Sequence, residues 1–163
     1  MPQKSSSRRS ALLAELAVTS RRYMASYALF NQAVADRLGL HPTDLQCLNL
    51  LGLEEGPVTT GRVAELTGLT TGSATRLVDR LERAGFVTRT RDTADRRRVL
   101  VATVPERMAE VGAVWQRLSG RWDTLFEPYD DDEIALLIGH MRRTVELSAT
   151  QIALLREGTE GAG

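Results

Sequence analysis

The 163-residue chain holds one cysteine, Cys47, and two histidines, His41 and His140. An internal disulfide is thereby excluded, and Cys and His alone cannot assemble a zinc-type ligand set. No metal or other cofactor is expected. Long apolar runs are missing as well: no stretch of eighteen such residues occurs, and residues 1–10 are polar and basic without the apolar segment of a secretory signal. A soluble, cytoplasmic protein with one domain and extended arms is the expectation. A nucleophile elbow, a phosphate loop and a metal cluster are all absent, so no enzyme is expected. The acidic run from Asp130 to Glu133 suits a helix N-terminus, where negative charge is favoured.

Excess charge of either sign is also lacking, since 21 Lys and Arg balance 21 Asp and Glu. Zero net charge at first argues against nucleic acid, but the distribution along the chain is uneven. Residues 58–104 carry nine arginines against five acids, a balance of +4, whereas residues 105–163 come to −5. The field therefore has a direction. Lys4 is the sole lysine. Such an arginine bias also follows from genome base composition, so its abundance alone is no argument for DNA.

What is present is organised around residues 58–104. They predict two short helices joined by a tight turn and then a hairpin with a basic tip, a winged helix-turn-helix. The second helix, about 71–84, places Ala74, Leu77, Val78 and Leu81 on one apolar face, and Gly72, Arg76, Asp79 and Arg83 fall opposite. Thr70 or Thr71 can cap its start, and Gly85 supplies the stop. Thr71, Gly72, Ser73, Thr75 and Arg76 occupy the outward first turns: small side chains that allow close approach to base edges, with one guanidinium able to grip guanine. The preceding helix, roughly 60–67, turns Val63, Ala64 and Leu66 inward, and Gly68 permits the tight turn.

The hairpin strands are predicted at 86–91 and 98–104, with Val58 adding a short strand at the edge. Arg89, Arg91, Arg96, Arg97 and Arg98 bring cations to this projection, suited to phosphate contact and to entry of an arginine into a narrow minor groove. Asp92 and Asp95 would repel phosphate, so their expected role is to orient an arginine fork. Arg62 and Arg80 are expected to hold phosphates, and Arg96 or Arg97 to enter the minor groove.

Around this unit the chain is helical. Residues 1–9 read as a disordered tail and 10–38 as a long amphipathic helix ended by Gly39, within an N-terminal dimerisation segment 10–41. Thr43 with Gln46 suggests a capping box for a buried helix to about Leu53, which opens the DNA-binding region 42–104. Cys47 falls on an apolar stripe and reads as core. Pro105 starts a third long helix that Pro128 stops, Asp130 with Glu133 caps the last one, and the segment 105–157 precedes a frayed tail 158–163. The fold class is thus mainly α with a small β-hairpin wing. The long terminal helices carry apolar stripes that a single small core does not easily cover, which predicts a two-fold homodimer with its reading helices about 34–36 Å apart.

These residues resemble the MarR family of bacterial transcriptional regulators. The likeness covers about residues 10–156 and is sharpest from Thr75 to Val87, which follows the pattern T-R-L-V-D-R-L-E-x-x-G-hydrophobic-V. A second match, Asp92-Thr93-Ala94-Asp95-Arg96-Arg97, follows a D-x-x-D-R-R wing. The resemblance implies a homodimer that binds palindromic double-stranded operators, often represses, and often releases DNA on binding a small molecule. Two departures stand out. The family pattern L-T-x-x-G after the wing is replaced by Thr103-Val104-Pro105-Glu106-Arg107, and the cysteine that oxidation-sensing members carry early in the first helix is missing.

A small aromatic or lipophilic effector would find walls and one polar contact in Tyr23, Met24, Tyr27, Phe30, His41 and Trp115, although the same stripe would serve as plain core. The alternative to a DNA-binding dimer is a winged-helix protein-interaction module without DNA affinity, which the basic wing disfavours.

Overall fold

The structure is a computed structural model that describes residues 3–93, 95 and 98–160. Six helices and three short strands follow one another in the chain: α1 (Gln3–Leu38), α2 (Pro42–Leu51), β1 (Val58–Thr59), α3 (Thr60–Thr67), α4 (Thr71–Arg83), β2 (Val87–Arg91), β3 (Val99–Thr103), α5 (Pro105–Phe126) and α6 (Asp131–Glu160). The fold class expected from the sequence is therefore observed. The chain divides into two compact units, Met1–Val114 and Trp115–Gly163, with the boundary inside α5.

In the first unit, α4 is amphipathic and buries Ala74, Leu77, Val78 and Leu81 completely. They share a core with Leu45, Cys47 and Leu48 of α2, Val63 of α3, Phe86, and Val87 and Val101 of the sheet. The sheet is antiparallel in the order β1-β3-β2, with Val58 opposite Val101, Val87 opposite Thr103 and Arg91 opposite Val99. Val58 thus joins the edge of the hairpin. Gly85, at φ +77°, takes the left-handed position that ends α4, where a side chain would be strained. The Phe86 N–H then closes onto the Leu81 carbonyl at 2.9 Å.

Three boundaries differ from the sequence reading. The first helix reaches back to Gln3, into the stretch expected to be disordered, because no Gly or Pro between there and Ser10 interrupts it. The cap of α2 is His41 rather than Thr43: its Nδ1 accepts the Thr43 N–H at 3.3 Å. Pro42 explains the change, since its fixed φ and missing N–H suit the first helical position and push the cap two residues earlier, to His41. The last helix runs to Glu160, past the expected fraying at Gly158, and residues 161–163 of that tail lie outside the described residues.

In the second unit, Asp130 and Glu133 form the expected capping box. The Asp130 carboxylate accepts the Glu133 N–H at 2.8 Å, and Glu133 Oε2 accepts the Asp130 N–H at 3.0 Å. Leu136, Met141, Val145, Leu147 and Ile152 stay exposed along α6. Among the described residues no helix is long and apolar enough to cross a membrane.

Cys47 lies in the core, as expected, and its thiol is pushed up to about 12, first by burial and then by the charge of Asp44. It stays a neutral thiol at ordinary pH. At pH 8 the folded protein should therefore react far more slowly with an aromatic disulfide reagent than the unfolded chain. Equal rates in native buffer and in denaturant would contradict this placement.

Candidate nucleic-acid interface

The helix-turn-helix is built from local capping. Thr59 caps α3 by accepting the Arg62 N–H at 3.2 Å, Gly68 turns the chain at φ 72°, and Thr70 caps α4 by accepting the Ser73 N–H at 3.3 Å. At each of these two helix starts one orphan N–H donor meets a hydroxyl. Because the apolar face of α4 is fully consumed by the core, Thr71, Gly72, Thr75 and Arg76 are left exposed and Ser73 half-buried. A Cβ added at Gly72 would meet nothing within 4 Å. Nothing in the fold requires glycine there, although glycine costs helix stability. Thr75 Oγ1 donates to the Thr71 carbonyl at 2.9 Å, so its proton is already used. Arg76 donates through Nη2 to Ser73 Oγ at 3.1 Å.

The arginines of this unit sort into two groups. Arg80 closes a fork on the buried Asp44 of α2, Nη2 to Oδ1 at 2.6 Å and Nε to Oδ2 at 3.1 Å. Asp44 is the buried carboxylate of the core, with 5% of its side chain exposed against 43% for Arg80. This pairing holds the Arg80 guanidinium above its ordinary range. Arg62 pairs with Glu54 at 3.0 Å and Glu65 at 3.2 Å; the hydrogen bond from Arg62 holds the Glu54 carboxyl below its usual range. Arg62 and Arg80, expected to hold phosphates, thus have their forks on carboxylates while 46% and 43% of their side chains stay exposed. Both forks face carboxylates, because each lies within reach of acids on a neighbouring turn or helix. Arg76, Arg83 and Arg91, by contrast, have no carboxylate partner among the described residues.

On the wing, Arg89 reaches back from β2 to Asp79 of α4 at 2.6 Å and to Glu82. It clamps strand to helix and is not a free cation of the projection. Asp92 pairs with Arg98 at 3.8 Å, while its N–H donates to the Arg98 carbonyl at 3.0 Å. The Asp95 carbonyl accepts the Arg98 N–H at 2.9 Å. Asp92 thus lies within ion-pair distance of Arg98, and the Asp95 backbone closes the turn. Arg96 and Arg97 lie outside the described residues.

The suggested effector residues are distributed over both units. Tyr23, Met24 and Tyr27 are widely exposed on α1, Phe30 is half-buried lower on the same helix, and Trp115 belongs to the second unit. His41 instead lines an open cleft of about 500 Å³ with Thr43, Leu69, Ser73, Arg76 and Arg80, beside the start of α4. The stripe spacing that grouped His41 with the aromatics missed this, because its cap geometry turns it toward the reading helix. Among the described residues no group of three or more His, Cys, Asp or Glu could hold a metal.

Sequence reasoning missed two residues. Asp44 was hidden in a helix read as apolar, where a lone acid is itself a sign of a cation to be found elsewhere. Arg107, standing where the family pattern has glycine, lies over the Phe86 ring at 4.3 Å and pairs with Glu110 at 2.5 Å. Its Nη2 approaches the Ala84 carbonyl at 3.5 Å. The departure from the pattern thus ties the start of α5 to the end of α4.

Two helices joined by a tight turn, the second with a fully buried inner face and an exposed outer face of small residues and arginine, and an adjoining hairpin define a winged helix-turn-helix DNA-binding regulator. Residues 38–98 match the sequence pattern of the MarR family. The chain is 37% identical over 129 residues to the uncharacterized HTH-type transcriptional regulator YcgE of Bacillus subtilis, covering 79% of this chain and 83% of the relative. It belongs to the MarR family of winged-helix transcriptional regulators. Solved structures share the fold. A MarR family protein from Bacillus stearothermophilus superposes with a TM-score of 0.68 at 24% identity, covering 86% of this chain and 97% of that one. Bordetella bronchiseptica BpsR, whose DNA binding is regulated by 6-hydroxynicotinic acid, gives 0.57 at 19% identity over 79% and 91% of the two chains.

The Asp44–Arg80 pair should respond asymmetrically to substitution. Arg80→Ala strands a carboxylate in the core and should cost about 3 kcal/mol, whereas Asp44→Asn leaves a half-exposed guanidinium free to turn to water and should cost about 1 kcal/mol. Urea unfolding of both variants checks this; equal losses would mean that the pair behaves as an ordinary surface contact.

Proposed function

We propose that the protein is a homodimeric, sequence-specific repressor that binds palindromic double-stranded DNA, with α4 in the major groove and the wing at the adjacent minor groove. One observation carries the reading. On the outward first turns of α4, Arg76 is exposed and unneutralised, while Arg62, Arg80 and Arg89 around it are all committed to carboxylates. A guanidinium left with donors to spare on a surface of small side chains matches what base-edge reading requires. Thr71, Gly72, Ser73 and Thr75 are proposed as its neighbours on the groove floor, and the open space at Gly72 supports close approach. Arg96 and Arg97 are proposed for the minor groove. Phosphate contact falls to Arg83 and Arg91, and to the exposed edge of Arg80.

Dimerisation is supported by apolar side chains left in water. Leu12, Leu16 and Tyr23 on α1 and Met141, Val145 and Leu147 on α6 are more than half exposed, more than a soluble monomer ordinarily leaves on two helices. A small-molecule effector, aromatic or lipophilic, is proposed at the Tyr23, Met24, Tyr27 and Phe30 face of α1, by analogy with the regulation of BpsR.

Sedimentation should give twice the 18.0 kDa chain mass, and Leu16→Glu should shift the protein toward monomer and weaken DNA binding with it. A monomeric native protein would sink the dimer. For the reading head, selection from a random duplex pool should enrich a palindrome. Arg76→Ala should then cost roughly 1–3 kcal/mol on that site and relax its sequence preference, while affinity falls steeply with salt. No enriched sequence and a flat salt response would favour a protein-interaction module instead.

A further inference from the structure

The start of α4 contains a relay of side chains that the reading of Arg76 does not by itself require. Thr70, Ser73 and Arg76 stand three residues apart twice over, so their side chains follow one ridge of the helix. Thr70 Oγ1 accepts the Ser73 N–H at 3.3 Å and donates its own proton to Ser73 Oγ at 3.1 Å. Ser73 Oγ also accepts from Arg76 Nη2 at 3.1 Å. A serine oxygen has two acceptor positions, and both are filled. The same hydroxyl that the sequence marks as a base reader is therefore already used in holding a guanidinium.

We propose that Ser73 is a positioning residue that sets the fork of Arg76 for the base it reads, and that Thr70, beyond capping the helix, fixes Ser73 in turn. The inference rests on the DNA-binding reading above and deepens it: specificity at the Arg76 base pair is set partly by two hydroxyls that act through the arginine. The physical reason lies in the geometry of guanidinium recognition. A two-bond grip on guanine demands a coplanar fork, and a free arginine side chain samples many rotamers before it finds that plane. One donor spent on Ser73 still leaves four for the duplex. With no carboxylate partner among the described residues, Arg76 is oriented by a neutral acceptor, which holds the fork without cancelling the charge that draws it to DNA. Arg80 shows the contrasting arrangement, with its fork closed on Asp44.

The test is a double-mutant cycle on the duplex selected by the wild-type protein, read as the affinity ratio between that duplex and one changed at the base pair that Arg76→Ala ceases to discriminate. Ser73→Ala, at a half-buried helical position where alanine favours the helix, should keep the fold and lower the ratio about three- to tenfold. The salt dependence should be unchanged, because no phosphate contact is lost. In the Arg76→Ala background, Ser73→Ala should have no further effect, and Ser73→Thr, which keeps the hydroxyl, should retain the wild-type ratio. A loss that persists without Arg76 would mean that Ser73 meets the base itself and would overturn the relay. So would an unchanged ratio in Ser73→Ala while Arg76→Ala loses discrimination. If Arg76→Ala loses discrimination at no base pair of the selected duplex, the base-reading role fails first and the relay fails with it.

Discussion

The complete burial of Ala74, Leu77, Val78 and Leu81 is the constraint from which the rest of the reading head follows. Four side chains on one stripe of α4 leave the helix no freedom to rotate about its axis without opening the core, and opening it costs several kcal/mol per large side chain. The outward face is thereby fixed as Thr71, Gly72, Thr75 and Arg76, whatever those residues contribute to stability themselves. Gly72 makes the division plain. The fold has room for a side chain there and the helix would gain from one, so glycine at this position is not explained by the packing of the chain.

Around this helix the carboxylates act as a sorting device. Asp44, Glu54, Glu65, Asp79, Glu82 and Asp92 each take an arginine, and what they leave unclaimed is where positive charge remains available. Among the described residues, Arg62, Arg80, Arg89 and Arg98 of residues 58–104 are paired with acids, which the +4 balance of that stretch does not reveal. Formal charge counts ligands of protein and of DNA alike; only geometry separates them.

That distinction marks what could be read from the sequence. The helices and strands of the winged unit were legible almost to the residue, because each boundary carries local chemistry: Thr70 as a cap, Gly85 as a stop, β-branched residues in the strands. The core face of α4 was legible for the same reason, through its spacing. The partners of the arginines were not, since Arg80 and Asp44 lie 36 positions apart and no local pattern links them. Arg107 was visible only as a missing glycine, and its stacking on Phe86 needs the tertiary fold. The proposed effector residues shared a spacing pattern, and that pattern did not show that His41 lines a cleft with Ser73, Arg76 and Arg80.

The join between α4 and β2 carries a last implication. Only Ala84, Gly85 and Phe86 separate helix from strand, the Phe86 N–H is tied back to Leu81, and Arg89 bolts the strand to Asp79 and Glu82. Helix and strand consequently behave as the two jaws of a fixed gauge. A duplex that met both would have to present a groove and a neighbouring backbone at that one separation, and base pairs that no side chain touches would then be sensed through the width they impose on the groove.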